Sequence, residues 1–67
     1  MMKLNNLQIN TPSKILKIDD IRLMEMGLIE GEDIEIIRKG SIFILKVGDM
    51  RLAIDSKLTE NIFVQGE

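Results

Sequence analysis

The chain has no cysteine and no histidine, and these two absences remove more chemistry than any other feature of it. Without thiols there is no disulfide to staple a small fold, and without thiolate or imidazole a tight transition-metal site loses its usual ligands. Nucleophilic catalysis needs a Ser, Cys, Thr or Lys beside a base, and Ser13, Ser41 and Ser56 have no base-bearing context around them. The five glycines punctuate turns, with spacings that match neither the P-loop nor the dinucleotide fingerprint. Aromatic residues are as scarce: Phe43 and Phe63 are the only two, a poor stacking platform for single-stranded nucleic acid. What is left is a binding domain, not an enzyme.

Nine basic against eleven acidic residues give a net charge of -2, which supplies no general attraction to phosphate or to an anionic membrane surface. No stretch approaches the roughly 20 apolar residues of a membrane span, and Met1 to Asn6 lacks the apolar run of a signal peptide. The expectation is a soluble, cytoplasmic protein. Its 67 residues leave room for one domain, 1–67, with a core from about 7 to 65. With 45% hydrophobic residues, mostly Ile, Leu and Met, packing has to hold that domain.

The order of elements follows from local chemistry. Lys14 to Ile18 is a short strand candidate, with Leu16 and Ile18 on one face and Ile15 on the other. Asp19-Asp20 offers carboxylates to the unpaired N–H groups of a first helical turn, so a short helix follows, Ile21 to Met26. Ile21, Met24 and Leu28 share a helical stripe, and Gly27 suits the left-handed residue that ends a helix. Ile29-Glu30-Gly31-Glu32 fits a type II turn into the strand Ile34 to Arg38. Gly40-Ser41 and Gly48-Asp49 then fit two-residue hairpin loops with Gly first. Ser56 to Glu60 reads as a single helical turn and Ile62 to Val64 as a closing strand.

Two such loops fix a register. Val47 faces Met50 and Ile34, Leu45 faces Leu52 and Ile36, and Phe43 faces Ile54 and Arg38, which gathers eight apolar residues on one side. On the other side stand Glu35, Lys46 and Arg51, then Ile37, Ile44 and Ala53, then Lys39, Ile42 and Asp55. A wet face should alternate more cleanly than this. Two readings of Ile37, Ile42, Ile44 and Ala53 are open. Either the sheet curls and the first or last strand covers them, or they form an exposed patch for a partner.

Carboxylates alone can hold hard cations, and Glu30, Glu32, Asp33 and Glu35 cluster near the second turn, with Asp19 and Asp20 as a further pair. Neither group has ligand spacing specific to a metal, and a solvated turn and a helix cap explain them. The sequence therefore calls for no metal site and no cofactor, leaving only weak divalent-cation binding open. A rival reading as a nucleic-acid-binding small barrel would rest on Arg38, Lys39, Lys46 and Arg51, against the net charge.

The segment Arg22-Leu23-Met24-Glu25-Met26-Gly27-Leu28-Ile29-Glu30-Gly31 resembles the R-L-x-x-M-G-hydrophobic-x-x-G signature of the FeoA family, ferrous-iron transport protein A. Ile34 to Arg38, Leu45 to Ile54 and Asn61 to Val64 resemble the strands that follow it, so the likeness spans nearly the whole chain. The chain looks like a divergent member. Its turn at Lys39-Gly40-Ser41 is shorter than usual, and Glu30, Ser13 and Thr59 stand where Pro, Gly and Ala are customary. The resemblance implies a mainly β, SH3-like small barrel with one short helix after the first strand. It also implies a role in the cytoplasm as a stand-alone accessory that binds the ferrous-iron transporter FeoB; the alternative to that reading is a small-barrel nucleic-acid-binding or metal-sensing module. Contact with the membrane would be indirect, through the transporter, and self-association is left open. In the signature, Gly27 and Gly31 answer backbone demands, and Leu23, Met26 and Leu28 look like core. Arg22 is either a solvated partner of Glu25 or a partner contact. Ile37, Ile42, Ile44, Arg51 and Arg22 are thus the candidate protein-binding residues.

Overall fold

Glycines and short acidic residues divide the chain as the sequence suggests. The computed structural model describes residues 1–66, which form β1 (Met2–Lys3), β2 (Ser13–Ile18), α1 (Ile21–Glu25), β3 (Asp33–Arg38), β4 (Ile42–Val47), β5 (Met50–Asp55), α2 (Ser56–Thr59) and β6 (Ile62–Val64), with a 3-10 turn over Leu4–Asn6. The strands join into one antiparallel sheet in the order β1-β6-β2-β3-β4-β5. β2 is the corner: its first residues pair with β3 and the rest with β6. The sheet curls around a core of Leu4, Leu7, Ile15, Ile18, Leu23, Leu28, Ile34, Ile36, Phe43, Leu45, Val47, Ile54, Ile62 and Val64.

The barrel expected from the family resemblance is left open. β1 and β5 are the two ends of the sheet and do not pair with each other. The 3-10 turn and α2 cover the space between: Asn5 Nδ2 donates to the Ser56 carbonyl at 3.3 Å and to Thr59 Oγ1 at 3.1 Å, and the Thr59 hydroxyl donates to the Ser56 carbonyl at 2.6 Å. Thr59 is the one polar side chain among the buried described residues, and these bonds satisfy its hydroxyl. Leu4 is fully buried as well, so the core begins earlier than residue 7.

The hairpin β4–β5 has the expected register throughout, from Val47↔Met50 to Phe43↔Ile54. Gly48 supplies the left-handed residue of its two-residue loop, at φ 58°. Between β3 and β4 the expectation holds only for Ile34↔Val47, Glu35↔Lys46 and Ile36↔Leu45. A bulge then sets Ile37 and Arg38 together opposite Ile44, and Gly40 keeps an ordinary φ, so this connection is not a Gly-first hairpin loop. The physical reason is visible in the unbulged register, where strict alternation would aim Arg38 at the core beside Phe43. One extra residue removes that charge from the interior.

A second bulge corrects the reading of β2. The register slips between Ile15 and Lys17, so that Ile15 and Ile18 point inward and Leu16 is exposed. In α1 the corrections come from length. Asp20 caps the helix by accepting from the Arg22 N–H at 2.9 Å, and Gly27 ends it at φ 101°. A helix of five residues has one inward position, which Leu23 takes, with Leu28 just beyond the turn. Ile21, Met24 and Met26 are therefore exposed instead of forming core, and so is Met50. The turn before β3 is as expected: Gly31 has φ 94° and the Glu32 N–H donates to the Ile29 carbonyl at 3.2 Å.

Candidate functional site

On β3, β4 and β5 the inward row is core, so the alternate residues define an outer face. Glu35, Lys46 and Arg51 form a charged row across the three strands, followed by an apolar row of Ile37, Ile44 and Ala53, and then by Ile42 opposite Asp55. Among the described residues no strand covers this face, because β1, β2 and β6 extend the same sheet edge to edge. Ile42 is 48% exposed, Ala53 is exposed, and Ile37 and Ile44 are half-buried. Of the two readings left open by the sequence, a covering strand is the one the topology rules out.

The bulge also brings Arg38 to this face. With Lys39, Gly40, Ser41, Ile42 and Ile44 it lines a shallow depression of about 240 Å³ at the β3–β4 end. Lys39 is tied down, donating from Nζ to the Asn5 carbonyl at 2.9 Å. Lys46 stands beside Arg51 in a like-charged pair, with Glu35 on its other side. The face is thus a small aliphatic centre edged by mostly basic groups. Arranged this way, it can exclude water from a complementary apolar surface and orient it through charge.

Arg22 is not on this face. It stands on α1, whose Leu23 enters the core from the concave side, and α1 packs on β2. Its partner is Asp20 and not Glu25: Nε donates to Asp20 Oδ1 at 3.0 Å and Nη2 to Oδ2 at 2.7 Å. This fork, with the Arg22 backbone N–H, holds the Asp20 carboxyl down at about 2 and raises the guanidinium in turn. The four candidates Ile37, Ile42, Ile44 and Arg51 come together, and the fifth does not.

The acidic clusters disperse into local pairings. Glu32 accepts from the Ile29 N–H at 3.1 Å, Asp33 pairs with Lys14 at 3.1 Å and Asp19 with Lys17 at 3.5 Å. Among the described residues no three acidic groups converge. Of the two aromatics, Phe43 is core and Phe63 lies under the Lys17 ammonium, 5.8 Å from the ring centre. Sequence reasoning missed a second apolar area: Ile21, Met24, Met26, Ile29 and Met50 are all exposed, and a Cβ placed on Gly27 would stand 3.6 Å from Met50 Cε, in ordinary van der Waals contact. The readable signal was the brevity of α1, too short to turn more than one side chain inward.

No helix among the described residues is long and apolar enough to cross a membrane. A family model described as the FeoA domain matches residues 2–66. Among solved structures the chain is similar to a crystal structure of an iron uptake regulatory protein (FeoA), at 23% identity and a TM-score of 0.83, covering 96% of this chain and 93% of that one. It is also similar to the solution structure of iron(II) transport protein A from Clostridium thermocellum, at 25% identity and a TM-score of 0.83, covering 96% of this chain and 44% of that one. No curated protein matches the sequence.

Proposed function

The chain belongs to the FeoA domain family, and from that premise we propose that it is a non-enzymatic, cytoplasmic accessory of ferrous-iron transport that binds and modulates the membrane transporter FeoB. The observation that carries the proposal beyond the family is the uncovered apolar row Ile37, Ile42 and Ile44 with Arg51 at its side. Apolar side chains in so small a domain are normally spent on the core. Here three isoleucines stand outside it on a rigid, doubly paired strand system, the kind of surface that binds without reorganising.

The nucleic-acid reading has less behind it. Of its four basic residues Lys39 is bonded within the chain, Phe43 is buried, Phe63 carries the Lys17 ammonium over its ring, and the net charge is -2. A metal-sensing module would need converging ligands that the described residues do not bring together.

The test is retention of the folded chain by the immobilised cytosolic part of the cognate transporter, with dissociation constants in the micromolar range or below. Absence of binding at high micromolar concentration, with circular dichroism showing a folded chain, would reject the proposal. A strongly salt-dependent mobility shift with DNA or RNA would favour the alternative.

A further inference from the structure

β5 ends the sheet, and its outer edge is self-complementary. The Ser56 N–H donates to the Ser41 carbonyl at 2.9 Å, so the even-numbered residues of β5 turn their backbone groups toward β4. Arg51 and Ala53 therefore turn theirs away, and among the described residues neither pairs with backbone on that side; Asp55 lies on the same edge, with its carbonyl accepting the first bond of α2. β5 runs six residues without proline and its register with β4 has no bulge, while the side chains at the two ends of this edge, Arg51 and Asp55, are charges of opposite sign.

We propose that the β5 edge pairs with β5 of a second copy of this chain, antiparallel and two-fold about Ala53. In that register Arg51 of each copy stands directly opposite Asp55 of the other, Ala53 meets Ala53, and Leu52 meets Ile54. Three observations favour this occupant over an unrelated strand. Arg51 and Asp55 form no salt bridge within the chain among the described residues, and Arg51 lies against Lys46, so an acid from outside relieves a like-charged pair. The residue on the axis is Ala53, small enough for two outer faces to meet without a clash. Leu52 is only half-buried in one copy and gains an apolar neighbour in the pair. The Asp55 side chain keeps Oδ2 for this pair, because its cap of α2 uses only Oδ1, which accepts from the Lys57 N–H at 2.8 Å. The pairing also joins the two Ile37–Ile44–Ala53 rows into one stripe across both copies. It is independent of the transporter proposal.

Sedimentation equilibrium from micromolar to millimolar concentration, together with amide hydrogen exchange, tests it. The expected result is a monomer–dimer equilibrium in which the amides of Arg51 and Ala53 gain protection as concentration rises, while those of Leu52 and Ile54 are protected throughout. R51E and D55R should each weaken self-association at least about tenfold. Mixed in equal amounts they should recover it, because both cross-copy pairs are then of opposite charge. If D55R fails to fold, Ala53→Pro replaces it, removing an edge N–H that β4 does not use. A chain that stays monomeric at millimolar concentration overturns the proposal. So does a dimer whose Arg51 and Ala53 amides exchange as fast as in the monomer, or a mixture of charge variants that does not re-associate.

Discussion

Replacing Ile44 by Glu separates a docking face from a covered core, and Arg38 across on β3 and Leu45 beside it on β4 supply the scale. Ile44 is half-buried, so its loss forfeits part of the ~1.5–3 kcal/mol that full burial of such a side chain gives. Arg38, set opposite Ile44 by the bulge, returns up to ~1 kcal/mol by pairing with the new carboxylate. The balance is a loss of about 1 kcal/mol, or roughly 1 M in the urea midpoint. A domain of this size holds roughly 3–10 kcal/mol and stays folded. Leu45, the next residue, is fully buried, and Leu45→Ala should lose about 2–5 kcal/mol and approach unfolding. Urea denaturation followed by circular dichroism gives the stabilities, and titration against the cytosolic part of the transporter gives the affinities. I44E should remain folded and bind at least about tenfold more weakly, a loss of about 1.4 kcal/mol or more. If I44E is destabilised as much as Leu45→Ala, the outer face is covered core and the reasoning fails. If it folds and binds as the parent does, the docking face lies elsewhere.

Asp20→Ala should lower stability at neutral pH and remove an acid dependence. The Asp20 carboxyl is held at about 2 against an ordinary 3.8, so its contribution is complete above about pH 4 and is lost as pH falls toward 2. Thermal melts at pH steps through that window should show a steeper decline for the parent than for the variant, and identical slopes would refute the fork. Thr59→Val should cost about 1–3 kcal/mol, since it leaves the Asn5 amide without one acceptor in a buried place. Thr59→Ser should recover most of that in the same denaturation assay. At Gly31 a new Cβ would meet nothing within 4 Å, so Gly31→Ala reports backbone strain alone. The expected loss is about 1–2 kcal/mol for an alanine held in the left-handed region. A neutral Gly31→Ala would mean that this turn relaxes to another type.

Much of the architecture was legible because it rests on local rules. Asp20 as a cap, Gly27 and Gly31 as left-handed residues and the Gly48-Asp49 loop each follow from one or two side chains and their backbone requirements. The β4–β5 register follows from that loop and from alternation. Both bulges were illegible. A bulge is chosen by what the extra residue avoids in three dimensions, a buried Arg38 in β3 and, with Ile15 inward, a buried Lys17 in β2, and what lies across the fold is not encoded nearby in the chain. The candidate site shared this fate. Ile37, Ile42 and Ile44 were grouped by period alone, and Arg38 joined them only once the bulge was known. Arg22 was set against the wrong acid, because helical spacing suggested Glu25 while the cap geometry placed Asp20 closer.

By itself the sequence determined that this chain is β-rich and free of cysteine and histidine, and that it carries a FeoA-like signature. These are properties of composition and of short spacings, which do not depend on how distant segments meet. Tertiary structure alone decided which apolar residues are core. A five-residue helix could turn only Leu23 inward and left Ile21, Met24 and Met26 in solvent. It decided too that Leu4 belongs to the core and that the sheet stays open between β1 and β5. The reason is common to all three: burial and edge pairing are set by what lies across the fold, where residues far apart in sequence compete for one interior.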